Sequence, residues 1–209
     1  GGRIVGRKLA EELGLHFYDD EILKMASEKS AVGEEFFRLA DEKAGNNLLH
    51  RLTGAKKADV FGKPSLKGDV TSPDNLFKFQ AMVMRELAEQ EPCVFVGRAA
   101  GYVLDQDEEI ENLIRIFVYA DRVRRVQRVM EVDCISEERA KKRIRKIENE
   151  RKNYYKYFTG NDWKNMKKYD PPRTGRDGGA DQGICEAARV YEVGKNENNL
   201  SVMQAKNFS

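Results

Sequence analysis

Arg98 stands one residue past Gly97, at the end of the apolar run Cys93-Val94-Phe95-Val96. The run has no polar alternation and follows Glu91-Pro92, which predicts a strand buried on both faces, the usual state in a parallel sheet. In open α/β sheets the ligand crevice lies just beyond the carboxyl ends of the strands. An arginine delivered there on a glycine-flanked turn can hold a phosphate or carboxylate through its planar fork. The alternative is a structural ion pair capping the sheet edge. Gly1-Gly2, ahead of a predicted helix, offers a second anion seat, because backbone N–H groups and the helix dipole face such a site. Asp19 ends a short predicted strand, Leu15-His16-Phe17-Tyr18. It either faces the same crevice as Arg98 or simply suits the first turn of the helix that follows.

The elements that must carry these groups alternate. Ile4, Val5, Leu9, Ala10 and Leu13 fall at helical spacing and Gly14 ends the helix. A second helix is expected over Glu21 to Ser30, and a third from Gly33 to about Lys43. Residues 44–72 carry Gly45, Gly54, Gly62-Lys63-Pro64 and Gly68 with little periodicity, and read as a surface loop, a lid if functional. Ser72-Pro73 starts a helix that reaches about Gln90, with Ser72 as N-cap and Pro73 at the first position. Gln80 falls within it, and spacing alone places it in solvent. Leu113 to Ala120 is the second expected buried strand, ending at Asp121. Strand and helix alternating in this way imply parallel βαβ units.

Beyond Asp121 the chain turns basic. Two helices are expected, Arg122–Glu131 and Glu137–Lys152, with Ser136 as N-cap of the second. Their charges either solvate two helical faces or form an arm that brings several arginines onto a polyphosphate. Tyr154-Tyr155-Lys156-Tyr157-Phe158 with Trp163 forms an aromatic knot that anchors a loop or stacks bases. After Tyr169-Asp170 the pattern breaks at Pro171-Pro172. Helical spacing returns over Ile184–Tyr191, and the asparagine-rich tail past Gly194 is expected to be disordered.

The totals narrow the class. The chain has 209 residues, 34% charged and 40% hydrophobic, with a net charge of +2. That length suits one α/β domain with an insertion. So small a net charge argues against a nucleic-acid partner. No apolar run approaches the roughly 20 residues of a membrane helix, and no signal-peptide pattern opens the sequence. Three widely spaced cysteines point to a reducing, cytoplasmic setting rather than a disulfide framework. No Cys/His cluster has metal-site spacing, and of the two histidines, His16 and His50, one is expected at the core edge and one at the surface.

Taken together, the sequence resembles the cytidylate kinase-like family, a nucleoside monophosphate kinase branch of the P-loop kinases. The likeness is carried by Gly1-Gly2-Arg3 with Gly6, Leu9-Ala10-Glu11 with Leu13-Gly14, Phe17-Tyr18-Asp19, Phe77 to Gln80, and Arg85-Glu86-Leu87-Ala88. The most specific pieces are Val96-Gly97-Arg98 and the tract Arg125, Arg128-Val129-Met130, Arg151, Tyr154-Tyr155, Trp163 and Tyr169-Asp170. The resemblance spans about residues 1–170. It implies a P-loop NTPase-type three-layer α/β fold with a parallel central sheet. A helical monophosphate-binding insertion at about 31–72 and a helical lid at about 131–165 go with it, followed by a divergent segment over 171–209.

The activity so implied is transfer of the γ-phosphoryl group of ATP, with Mg²⁺, to a nucleoside monophosphate, CMP or dCMP first; a homo-oligomer is left open. Gly1, Gly2, Arg3 and Ile4 would cradle the ATP phosphates. Asp19, Gln80, Gly97 and Arg98 would bind the acceptor. Arg3, Arg98, Arg151 and Arg125 would supply the charge for transfer. The resemblance also has departures. By register Gly2 occupies the place of the usual P-loop lysine, with Arg3 beside it, and the strand preceding such a loop would lie before residue 1. Ala99 stands where cytidylate kinases carry an aspartate. These departures keep a second reading open, a weakly catalytic nucleotide-binding or regulatory protein on the same fold.

Overall fold

The structure, a computed structural model, describes residues 1–45, 59, 61–110 and 112–170, and the backbone of 201–205. The first helix, α1 (Gly2–Leu13), stops at Gly14, whose left-handed φ of 66° lets its N–H reach the carbonyls of Ala10 and Glu11. It leads into β1 (His16–Tyr18), then α2 (Glu21–Ser30) and α3 (Glu34–Gly45). The long helix α4 (Pro73–Gln90) begins as its sequence predicts: Ser72 caps it by accepting from the Asn75 N–H at 3.4 Å. β2 (Cys93–Val96) is buried along its whole length. It is followed by a short helix, α5 (Ala100–Leu104), then β3 (Leu113–Ile114), α6 (Arg122–Asp133) and α7 (Glu137–Thr159). Asp121 caps α6 through the Arg124 N–H at 2.9 Å, and Gly160 ends α7 in the left-handed region.

The sheet is parallel throughout, in the order β1-β2-β4-β3, where β4 is Ser201–Ala205. Side chains alternate across a strand, so neighbours on β2 enter different cores. Val94 meets Leu9, Ala10 and Ile116 on the α1 side. Cys93 and Phe95 join the large cluster built by α2, α3, α4, α5 and α7. In that cluster Phe77 stacks on Phe158 at 4.1 Å between ring centroids, and Tyr154 meets Phe158 edge-on at 4.8 Å. α6 and α7 close a separate small core of Val126, Val129, Ala140 and Ile144.

Four expectations differ from this architecture. The second strand is two ladder residues long rather than eight, because beyond Ile114 the chain leaves β4 and Tyr119 is exposed to solvent. α7 runs past Lys152 to Thr159 and absorbs most of the aromatic knot, since Tyr155, Tyr157 and Phe158 need its inner face to reach the core. Gln80 is buried rather than solvated: it lies three and four residues after Phe77 and Leu76, on the stripe they bury. Part of the tail expected to be disordered is the strand β4, which gains ladder bonds on both sides from β2 and β3. The readings for 46–58, including His50 and Gly54, and for the break at Pro171-Pro172 and Ile184–Tyr191, lie outside the described residues.

Candidate functional site

β2 ends in an unusual turn. Gly97, Arg98 and Ala99 take φ values of 84°, 48° and 54° in succession, and α5 starts at the next residue. Two consecutive non-glycine residues in the left-handed region carry strain, which clusters where a side chain must be aimed. Here the turn aims Arg98 over the carboxyl end of the sheet.

Three elements meet its guanidinium. Nη1 donates to Asp41 of α3, and Nη2 donates to Asp20, ahead of α2, at 3.0 Å. Tyr154 of α7 lies beside it, and its hydroxyl is pushed well above the ordinary value by burial and then by the Asp41 charge. Burial works against the Arg98 cation, but the charge of Asp41 and the bonds to Asp41 and Asp20 hold its pKa raised. The Nε of Arg98 is enclosed and, among the described residues, has no hydrogen-bond partner. Burial also raises the Asp41 carboxyl, only partly offset by Arg98 and by Gln80, whose Nε2 donates to Asp41 Oδ1 at 3.4 Å. For Asp20 the balance falls the other way: burial raises it, yet bonds and charge from Arg98 and then Arg3 leave it below the usual carboxylate range.

Two cavities adjoin this cluster. The first, about 540 Å³, is lined by Asp41, Gly97, Arg98, Ala99 and Tyr154, with Lys146 and Glu150 at its α7 wall. The second, about 400 Å³, lies at the start of α1 and is lined by Gly1, Arg3, Ile4, Arg128 and Arg143. Asp19, Asp20 and Arg151 line both. Arg3 bonds Asp19 and, through Nη2, Asp20 at 3.0 Å. One chain of charges therefore runs from Arg3 through Asp20 to Arg98 and Asp41, across the boundary between the cavities.

The residues singled out from sequence fall as follows. Arg98 and Gly97 line the first cavity; Gly1, Arg3 and Ile4 line the second; Asp19 and Arg151 line both. Gln80 sits behind Asp41 rather than on a cavity wall. Gly2 is buried in the first turn of α1. Arg125 lines neither cavity and is bonded to Glu148 at 2.5 Å, where α6 meets α7. Its charge reaches Arg151: burial first, then Arg125, lowers the Arg151 pKa. Asp20, Asp41, Arg128, Arg143 and Tyr154 were not among the sequence candidates. Asp41 had a legible signal, since it shares a helical stripe with Phe37, Ala40, Ala44 and Gly45, all buried.

A model of the cytidylate kinase-like family matches residues 1–171. The chain belongs to the cytidylate kinase-like family. Membership supports a kinase-like enzyme acting on a nucleotide, with ATP and Mg²⁺ as its general requirements. A crystal structure of an uncharacterized protein from Eubacterium ventriosum ATCC 27560 is similar in fold. It shows a TM-score of 0.50 and 23% identity, covering 80% of this chain and 78% of that one. No curated protein matches the chain.

For Mg²⁺ the donor set suits a shared site rather than a cage. Among the described residues no three His, Cys, Asp or Glu side chains group as metal ligands. Mg²⁺ asks for only one or two carboxylates, completing its shell with water and phosphate oxygens. Asp19, on the wall common to both cavities and bonded to Arg3, is one carboxylate of that kind. No helix among the described residues is long and apolar enough to cross a membrane.

Proposed function

We propose that this member of the cytidylate kinase-like family transfers the γ-phosphoryl group of ATP to a nucleoside monophosphate, CMP or dCMP first. The observation that carries the reading is the shared wall. A cavity holding Arg98 abuts a cavity at the start of α1, and Asp19, Asp20 and Arg151 belong to both. Phosphoryl transfer needs donor and acceptor in line with charge-stabilising groups between them, and little covalent chemistry from the protein. The second cavity would take the ATP phosphates against the N-terminal turn of α1, where N–H groups and dipole favour anions. Arg3 would serve there as the cation in place of the absent lysine. Arg98 would hold the acceptor phosphate in the first cavity. Arg151, half-buried between them, would stabilise charge on the transferring group, where a dry environment strengthens it. Mg²⁺ would neutralise phosphate charge beside Asp19.

On this reading the three-layer P-loop architecture assigns the stretch from about 31 to 72, including α3, to acceptor binding. Residues of about 131–165, chiefly α7, form the lid. A weakly catalytic nucleotide-binding role is favoured by one observation: Gly2, at the place of the P-loop lysine, is buried and brings no side chain to the cradle.

The deciding measurement is ADP formation from ATP and Mg²⁺ with CMP, dCMP, UMP and AMP in turn, beside an Arg98→Ala control. Turnover with a cytidine acceptor that the control loses supports the kinase. ATP-dependent thermal stabilisation without turnover on any acceptor supports the nucleotide-binding role.

A further inference from the structure

Arg98 is held by two carboxylates in different settings. Asp41 comes from inside the fold, its side chain 19% exposed and backed by Gln80. Asp20 comes from the cavity side, its side chain 49% exposed and shared with Arg3. The guanidinium thus offers one edge to the interior and one to the cavity. Asp41 occupies the interior edge through Nη1. On the other edge Nη2 is taken by Asp20, and Nε is enclosed with no hydrogen-bond partner among the described residues. Side-on recognition of a phosphate uses Nε and an Nη together. Asp20 therefore sits in half of a bidentate anion seat, and the Nε half has no hydrogen-bond partner among the described residues.

We infer that Asp20 is a displaceable stand-in for the acceptor's phosphate, while Asp41 is the fixed anchor that orients Arg98. The inference rests on the reading of Arg98 as the acceptor-phosphate residue. An incoming phosphate takes Nη2 and Nε, and Asp20 swings off. Arg3 already holds its Oδ2 at 3.0 Å, so the released carboxylate keeps a cation and no charge is stranded. The two carboxylates on one arginine consequently act with opposite sign on anion binding. Removing the Asp20 charge vacates the seat and removes a like charge beside it, so binding tightens. Removing the Asp41 charge frees the guanidinium to turn and leaves it unbalanced inside the fold, so binding weakens.

The test is calorimetric titration of inorganic phosphate and of CMP into wild type, Asp20→Asn, Asp41→Asn, Arg98→Ala and Glu42→Gln. Glu42 lines the same cavity and controls for loss of bulk negative charge. Circular dichroism on each variant checks folding, and the half-exposed Asp20 carries the test if Asp41→Asn fails to fold. Asp20→Asn is expected to tighten both ligands about fivefold or more, the scale of a relieved like-charge contact, with Glu42→Gln within about twofold. Asp41→Asn is expected to weaken both. Unchanged or weaker binding in Asp20→Asn, with Arg98→Ala also losing affinity, overturns the stand-in role and leaves Arg98 as the anion residue. An equal gain in Glu42→Gln overturns it as well. Full binding in Arg98→Ala, or no phosphate or CMP binding in any variant, overturns the reading of Arg98 beneath it.

Discussion

Asp170 and Arg115 grip each other through the main chain as well as the side chains. Asp170 Oδ2 accepts from the Arg115 N–H at 2.6 Å, and the Asp170 N–H donates to the Arg115 carbonyl at 2.9 Å. Next to it Tyr169 packs against Phe117 at 5.0 Å between ring centroids and donates its hydroxyl to the Trp163 carbonyl at 2.8 Å. The Tyr-Asp pair thereby fastens the segment after α7 to the segment that follows β3. Asp170→Ala removes the acceptor from a main-chain N–H and should cost about 1–2 kcal/mol. At this chain length each kcal/mol lowers the melting temperature by about 2–4 °C. Asp170→Asn keeps an acceptor oxygen and should lose less than half as much. Equal losses in the two variants would show that charge, not the main-chain bond, matters.

Left-handed positions offer a paired test of backbone strain. Gly97 has φ 84° and open space where a Cβ would stand, so Gly97→Ala introduces no clash. Its cost is conformational alone, about 1–2 kcal/mol. Cys134 ends α6 at φ 51° and is exposed, so Cys134→Gly forfeits little packing. It should stabilise the protein by about 0.5–1 kcal/mol, as glycine does at this helix position. Urea unfolding of both variants reads the two signs.

How far the fold was legible depends on whether local chemistry or distant pairing decides an element. Ser72-Pro73 and Gly14 mark helix ends through bonds within a few residues, so α1 and α4 could be placed from sequence. Cys93–Val96 declared itself because burial on both faces leaves no polar alternation. β4 did not: a parallel strand at 201–205 owes its place to partners more than 85 residues away in sequence, Leu113 and Val94 among them. The same division runs through the site. Arg98 was legible from the glycine turn after a buried strand. Asp20 and Asp41 were not tied to it, because nothing local says that α3 and the start of α2 converge on that turn. Gln80 is polar by type, yet it shares the buried stripe of Leu76, Phe77 and Met84, and that stripe decides its burial.

Alkaline pH should destabilise the fold in a defined window. Burial, and then the Glu91 charge, pushes the Cys93 thiol from 9.0 up to about 12. Burial, and then the Asp105 charge, pushes Tyr155 from 10.0 up to about 12. Both are acids with raised folded-state pKa values, so their contribution is whole below the unfolded values. Above about pH 9 the unfolded chain loses its protons first, and stability falls by up to about 1.4 kcal/mol per pH unit for each group until the folded values are passed. Unfolding titrations between about pH 8 and 11 should show the decline, and Cys93→Ala should flatten its first part. In the native state iodoacetamide should modify exposed Cys134 and spare Cys93; equal labelling would refute the burial of Cys93.

Arg151 and Arg125 should separate under the proposed kinase reading. Arg151 lines both cavities, whereas Arg125 lines neither and is bonded to Glu148 across the α6–α7 contact. Charge-stabilising groups at a transferring phosphoryl contribute on the order of 100-fold or more to turnover. Arg151→Ala should therefore lower kcat by about that factor with only a modest change in the acceptor KM. Arg125→Ala breaks a largely buried helix-to-helix pair, and its chief effect should be a loss on the order of 3 kcal/mol in stability. Its kcat should fall less than about tenfold, through a looser Arg151. Steady-state kinetics with ATP and CMP, paired with thermal unfolding of both variants, gives the comparison. If Arg125→Ala lost as much kcat as Arg151→Ala while melting like wild type, Arg125 would have to reach the transferring group itself. The Arg125–Glu148 pair would then open during the reaction.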